Sequence, residues 1–330
     1  MSHSTTVIAL REGLWQIKVP LPFPLRWVNS YLLREPDGSL TVIDPGLRTE
    51  AAEALWNEAL EGLGFGYDRI SQVVLTHHHP DHYGMAGWFQ ERTGAPVYLS
   101  ETGIGQVRLL WGDGQPMTEL LTGLFARHGM DAALCGELAK HMDSFVPLVS
   151  PQPQLTALRA GDRVRLGGAS YEAIETPGHA AGHLCFHDAQ TREIFCGDHV
   201  LPQISPNVSF MPGVEDDPLG AYMASLRDIA PLAVDMAYPG HRSPFTAFGR
   251  RAEELVRHHE ERLELMADKL HEPMTAYELC RDTFGDRLTL HQLRFAMAET
   301  IAHTVRLAVE GRVTESEREG LIVYEARDEG

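Results

Sequence analysis

The sequence predicts an α/β fold followed by a smaller, mainly helical unit, and three observations predict it. Short strand candidates alternate with helix candidates through the first hundred residues. Strand candidates return after residue 160. From Phe248 onward the chain reads as helices with one strand near the end. With 330 residues there is room for one large domain and one small one. The expected boundaries are a larger α/β domain over 1–250, carrying a helical insertion at about 101–150, and a C-terminal helical domain over 251–330.

Element by element, Leu14 to Pro20, Ser30 to Arg34 and Leu40 to Asp44 are short strands set off by Pro, Gly and Asp turn signals. Glu50 to Gly62 is a helix with a glycine-rich exit. Ser71 to Thr76 has the apolar character of a buried strand and runs straight into a histidine cluster. Tyr83 to Arg92 is the next helix and Pro96 to Leu99 the next strand. Glu119 to Ala126 and Asp131 to Met142 show helical spacing of Leu, Phe, Ala and Met and define the insertion. Strands are expected again at Arg163–Leu166, Ser170–Glu175, Leu184–His187 and Glu193–Cys196. A long helix follows from Phe248 to about His271. Thr275 to Phe284 and Leu290 to Glu310 are helices and Gly320 to Ala326 a strand, an order that resembles a winged helix.

Composition excludes several classes. No apolar run is long enough to span a membrane, and Met1-Ser2-His3-Ser4-Thr5 lacks the basic start and apolar core of a leader, so a cytoplasmic protein is expected. Cys135, Cys185, Cys196 and Cys280 form no CxxC pair, which argues against a disulfide framework or a cysteine zinc finger; Cys185 and Cys196 read as small buried hydrophobes. The net charge is −18, and the lysines are only Lys18, Lys140 and Lys269. That balance opposes tight, non-specific nucleic-acid binding and leaves a local arginine patch as the alternative.

The chemistry is carried by Thr76-His77-His78-His79-Pro80-Asp81-His82, an HxHxDH pattern directly after an apolar strand. Imidazole and carboxylate are the ligands zinc takes when cysteine is absent, and a loop at a strand end can turn alternate side chains toward one point. Downstream, Thr176-Pro177-Gly178-His179, Cys196-Gly197-Asp198 and Pro239-Gly240-His241 each place a ligand type behind a glycine at the end of a strand.

These motifs, in this order over about residues 10–244, resemble the metallo-β-lactamase-fold hydrolase superfamily, and within it the glyoxalase II-like branch. The C-terminal stretch around Met274-Thr275-Ala276-Tyr277-Glu278-Leu279 resembles the β-lactamase-like protein 2 group. The resemblance implies an αββα sandwich with a C-terminal winged-helix-like domain. It implies a first metal on His77, His79 and His179, a second on Asp81, His82 and His241, and Asp198 bridging both. Asp44, His183 and His199 are the candidates for supporting contacts. Zinc is the default ion, with iron or manganese as alternatives. Two such ions about 4 Å apart share a water and lower its pKa toward neutrality, so hydroxide attack on a carboxylic thioester or ester is expected, Asp81 and Asp198 being the catalytic carboxylates. The alternatives on the same site are a single-strand ribonuclease and a lactonase. The expected partner is a small acyl substrate, with a homodimer as a further expectation for the C-terminal module.

Other residues carry weaker expectations. His78 should face away from the ligands toward supporting contacts or solvent. Tyr83 should open a helix. Tyr222 and Tyr238 are candidates to donate to an oxyanion. The loop 202–218 should line the substrate entrance, and the insertion, with Trp111, Met117, Leu121, Phe125 and Met130, should form an apolar lid or pack against the body. His258, His259 and His291 read as surface or core histidines.

Overall fold

A computed structural model describes residues 6–112 and 114–327; the leader reading of residues 1–5 lies outside them. The chain opens with four antiparallel strands, β1 (Val7–Arg11), β2 (Leu14–Pro20), β3 (Trp27–Arg34) and β4 (Leu40–Ile43). Helix α1 (Glu50–Leu63) starts where the Thr49 hydroxyl accepts the Ala52 N–H and stops at Gly64, whose φ of 76° suits a residue without Cβ. It returns the chain to β5 (Ile70–Val74), parallel to β4. The histidine motif, α2 (Pro80–Tyr83), α3 (Ala86–Thr93) and β6 (Val97–Ser100) follow. The insertion is three helices, α4 (Glu101–Trp111), α5 (Pro116–Arg127) and α6 (Ala132–Asp143), before β7 (Leu155–Leu158) closes a seven-stranded sheet in sequence order.

The second sheet has five strands: β8 (Arg163–Leu166), β9 (Ala169–Glu175), β10 (Leu184–Asp188), β11 (Glu193–Gly197) and, after α7 (Pro218–Ile229), β12 (Met236–Pro239). Helix α8 (Phe248–Ala267) leads to β13 (Met274–Thr275), α9 (Ala276–Phe284), α10 (Leu290–Val309) and the hairpin β14 (Val313–Arg318)–β15 (Leu321–Ala326). β13 pairs with β15, so this unit has its own three-stranded sheet.

Three apolar layers hold the sandwich. Tyr31, Ile43 and Val74 of the first sheet meet Tyr171, Phe186 and Phe195 of the second. The outer face of the first sheet packs on Trp56, Trp88 and Phe89 of α1 and α3. The outer face of the second packs on Tyr222, Leu226 and Leu255 of α7 and α8, and that layer continues into Met297 and Ile301 of α10. This is the αββα order the sequence led us to expect, with α10 sewn into the same core. Among the described residues no helix is long and apolar enough to cross a membrane. The cysteines are free and buried.

Several elements depart from the expectations, each for a physical reason. β3 begins at Trp27, earlier than expected, because Asn29 and Ser30 are buried with their polar atoms satisfied, Asn29 Nδ2 by the carbonyls of Pro239 and Arg242 and Ser30 Oγ by that of Ile43. The single helix expected over Tyr83 to Arg92 is two. Gly84 passes so close to the backbone of Leu148 and Arg48 that a side chain would not fit, and the helical path breaks at the next residue, Met85, with φ −90° and ψ 1°. α4, α7, β1, β7, β13 and β14 were not anticipated, whereas β12 is the strand expected to end before Gly240-His241.

Candidate metal centre

Each residue of the centre follows a strand end. Asp44 lies after β4, the His77–His82 run after β5, His179 after β9, Asp198 after β11 and His241 after β12. Parallel pairing of β4 with β5 and of β11 with β12 sends those ends the same way, so the loops meet at one edge of the sandwich. Backbone bonds pin the loops to one another: Leu184 N–H to the Thr76 carbonyl at 2.8 Å and Gly240 N–H to the Gly197 carbonyl at 2.7 Å. A Cβ at Gly240 would collide with Asp198 and His82, so glycine there lets the backbone come up against the ligands.

Asp44 fixes the first loop. It is buried, with a φ of 51°, and its Oδ1 accepts the Thr76 N–H at 2.8 Å. Oδ2 accepts the Thr76 hydroxyl at 2.7 Å and faces His82 Nδ1 at 2.9 Å. The Thr76 hydroxyl, donating to Asp44, can only accept from His77 Nδ1 at 2.9 Å. Both rings are therefore protonated on Nδ1 and present Nε2 inward. His179 Nδ1 donates to the Asn207 carbonyl at 2.7 Å and His241 Nδ1 to the Trp27 carbonyl at 3.0 Å, with the same result.

The inward atoms form three overlapping groups, His77, His79 and His179; His77, His82 and Asp198; and Asp81, His82 and His241, each with its ligand atoms within 4.8 Å of one another. His77 Nε2 and His79 Nδ1 lie 3.0 Å apart; His241 Nε2 lies 3.2 Å from Asp81 Oδ2 and 3.3 Å from Asp198 Oδ2. Burial, reinforced by neighbouring histidines, holds His77 and His79 well below the usual histidine range, in the neutral form a metal requires. Burial would also lower His82 and His241, but the Asp198 and Asp81 carboxylates override it and raise both, His241 to about 10.

The donor set fits divalent cations. His82 Nε2, His179 Nε2 and Asp198 Oδ1 are buried and hydrogen-bond to nothing, a costly arrangement for groups without a further partner. The seven residues offer nitrogen and oxygen donors at the spacing of shared ligands. The sequence thus named the residues that converge.

The supporting candidates divide. Asp44 does what its position suggested. His183 accepts the Asp198 N–H at 3.2 Å on Nε2 and bonds Thr176 Oγ1 at 2.8 Å through Nδ1, so it orients the Asp198 loop. His199 does not join them: it is fully buried, faces Ser225 Oγ at 3.2 Å, hydrogen-bonds to none of the converging side chains and does not reach the cavity. His78 is outside the converging groups and shielded from solvent; it is buried in the cavity wall, packed edge-on against the His79 ring at 5.1 Å, its carbonyl bonded by Trp111 Nε1 at 3.3 Å, a supporting contact. Tyr222 donates to the His199 carbonyl and Tyr238 to Glu193, both at 2.8 Å, and Tyr83 bonds Gln152. None of the three lines the cavity, which removes Tyr222 and Tyr238 as oxyanion donors.

The centre forms the floor of a cavity of about 370 Å³. One wall is the insertion, through Leu110, Trp111, Leu121 and Phe145, while Met117, Phe125 and Met130 pack into the body. The loop 202–218 supplies a second wall, as its position after Asp198 suggested. The third was not anticipated. His291, Arg294, Phe295 and Ala298 of α10 face the cavity, whereas His259 is core. Asn207 ties that helix to the centre, its Nδ2 bonding the Phe295 carbonyl at 3.2 Å and Glu299 at 2.7 Å while its carbonyl holds His179.

Comparison with known proteins agrees with this geometry. The profile of the metallo-beta-lactamase superfamily matches residues 25–241, and that of a metallo-beta-lactamase-like C-terminal domain matches residues 263–327. A Bacillus subtilis protein named a probable metallo-hydrolase is 29% identical over 95% of this chain and 97% of its own. The crystal structure of a metallo-beta-lactamase family protein from Thermus thermophilus superposes with a TM-score of 0.86 at 34% identity, covering 97% of this chain and all of that one. That of a beta-lactamase domain protein from Burkholderia ambifaria gives 0.85 at 30% identity, covering 97% and 94%.

Proposed function

The chain belongs to the metallo-beta-lactamase superfamily, and from that premise we propose that this metallo-hydrolase cleaves a carboxylic thioester or ester. In this reading His77, His79 and His179 would hold one divalent ion and Asp81, His82 and His241 a second, with Asp198 within reach of both groups and zinc the default metal. When bound, such ions supply an activated water and a Lewis-acid contact for the substrate carbonyl. The chain's own residues do the rest. Asp44 and Thr76 lock His77 and His82 in one tautomer, and the Trp27 and Asn207 carbonyls do the same for His241 and His179. Asp81, partly exposed on the cavity floor, would serve as a ligand and could accept a proton from the nucleophile, though as a ligand it is not a free base. Trp111, Leu121, Phe145 and Phe295 exclude bulk water around an acyl chain.

The observation that carries the substrate class is the cavity: lined by apolar side chains from four parts of the chain, residues 23–25, the insertion, the 202–218 loop and α10, it suits an acyl group and not a polyanionic strand. Two further features support this over a ribonuclease. α10, the helix a nucleic-acid-reading module would present, buries Met297, Ile301, His303 and Leu307 in the body, and the β14–β15 hairpin carries Glu315, Glu317, Glu319 and Glu325. No tyrosine is among the described lining residues, so Tyr222 and Tyr238 offer no oxyanion donor there for a lactone substrate.

The test is hydrolysis of a panel of acyl thioesters and esters by metal-loaded protein, wild type beside Asp198→Ala. Turnover that disappears in the variant is expected. No turnover by wild-type protein carrying two metal ions per chain would sink the reading and bring single-stranded RNA and lactones forward as substrates.

A further inference from the structure

One cation in the cavity has no partner. Arg294 projects from α10 into the space above the metal centre, yet among the described residues it makes no ion pair and no hydrogen bond, and its Nε is buried unsatisfied. The contrast with its neighbours is sharp. Arg306 on the same helix pairs with Asp217 at 2.8 Å and Glu310 at 2.9 Å, and Arg262, packed on that helix, pairs with Glu299 at 2.9 Å.

Arg294 is held in place all the same. Its guanidinium lies over the Phe295 ring at 4.3 Å and within 5.7 Å of the Phe145 ring. Two aromatic faces restrain it without using its hydrogen-bonding edges. The cavity carboxyls do not neutralise it. Asp81 acts on it only through space, and Asp198 is engaged by His241 and His82. Glu215 is raised by burial and by Asp217 and Glu175, with no response to an arginine. Desolvation lowers Arg294 only to about 10, so it stays charged near neutral pH. A half-buried, charged guanidinium whose Nε is buried without a partner is costly unless something completes it, and Arg294 lines the cavity whose floor is the metal centre.

We propose that Arg294 is a specificity-determining receptor for a second anionic group on the substrate, a carboxylate or phosphate carried away from the scissile bond. The inference rests on the acyl-hydrolase reading for what occupies the metal end of the cavity. It narrows the substrate class to esters or thioesters that bear an oxyanion, which the guanidinium fork meets in a two-pronged, charge-assisted contact. Neutral acyl chains fill the same apolar walls but leave Arg294 unsatisfied.

Calorimetric binding to metal-loaded protein tests this without turnover. The probes are chain-matched acids: butyrate with succinate, hexanoate with adipate, octanoate with suberate, and 5-phosphonopentanoate beside adipate. In the pair that fits, the dicarboxylate should bind wild-type protein about 10- to 100-fold more tightly than the monocarboxylate, the worth of hydrogen bonds to a charged group. Arg294→Met should bring that ratio close to one, and Arg294→Lys should leave an intermediate ratio. The Met variant should also melt no lower than wild type, which a residue kept for the fold alone would not permit. Whether the phosphonate or adipate binds more tightly assigns the anion to phosphate or carboxylate. Equal affinities in every pair, with the monocarboxylates still binding, would overturn the role of Arg294 and leave the acyl reading standing. So would a ratio that survives in Arg294→Met. No binding by any acid would overturn the acyl reading and this one with it.

Discussion

The floor and the far wall of the cavity are built by opposite strategies. On the floor, four of the converging side chains come from a six-residue run, His77 to His82, and every ring whose Nδ1 is held by a buried partner has one orientation left. The far wall is α10, more than two hundred residues away in sequence, which brings an aromatic ring, a histidine and an unpaired arginine to the same space. The floor fixes what chemistry is possible; the wall bears on which molecule undergoes it. Changes to the floor should therefore destroy metal binding and turnover together, and changes to the wall should alter selection while the metals stay.

The sharpest break of that contrast is Asp198→Ala. Asp198 faces His82, His179 and His241 at 3.5, 3.7 and 3.3 Å, so its loss disturbs every group. Turnover should fall by about three orders of magnitude or more, as when residues acting as a unit lose one member, and elemental analysis should find less than the wild-type metal content. A full metal complement in this variant would contradict the bridging assignment. One layer out, Asp44→Asn keeps the shape but cannot accept from Thr76 and His82 alike on the same oxygens. Metal affinity, measured by chelator competition, should drop about 10- to 100-fold. An unchanged affinity would mean that the loop is held by its backbone alone.

Phe295→Ala probes the wall. It removes an apolar surface from the cavity and one of the two rings over Arg294. We expect kcat/KM for a fitting acyl substrate to fall about tenfold, the scale of lost apolar contacts in a pocket, with metal content intact. Loss of metal along with it would show that wall and floor are one unit, coupled through Asn207, which bonds the Phe295 carbonyl and holds His179.

The same division explains what the sequence revealed. The HxHxDH run and the glycine-preceded His179, Asp198 and His241 were legible because ligation restricts residue type and strand ends restrict place, whereas Asp44 came from the family resemblance. So were the sheets, whose buried strands carry their apolar pattern locally. For His199 the sequence left a supporting or substrate contact open beside packing, because adjacency to Asp198 says nothing of direction; its side chain turns back toward α7 and packs. Asn207 stood in a loop already suspected of lining the entrance, but its role is made by its backbone carbonyl, to which residue identity is blind. Arg294 left no local trace at all: an arginine in an amphipathic helix is ordinary until the fold shows that nothing answers its charge.

A third population of histidines sharpens the comparison from outside the site. His259 and His303 are buried in the C-terminal half, with Nδ1 and Nε2 3.3 Å apart and no carboxylate between them. Tyr222, His258, Arg262 and Glu299 surround them. Burial is the main cause that lowers both, His259 to about 2 and His303 to about 4. Unlike His82 and His241, they are neutral with no metal to keep them so. Because the folded pKa values lie below the ordinary 6.5, the unfolded chain binds more protons throughout that interval. Their contribution to stability is complete above pH 6.5 and is lost as pH falls toward about 4, by on the order of 1 kcal/mol per pH unit for each ring. Melting curves of metal-loaded protein between pH 7 and 5 should show the decline, and His303→Leu should flatten it relative to wild type. A variant whose melting temperature falls as steeply as wild type would place the acid sensitivity in the metal-centre histidines instead.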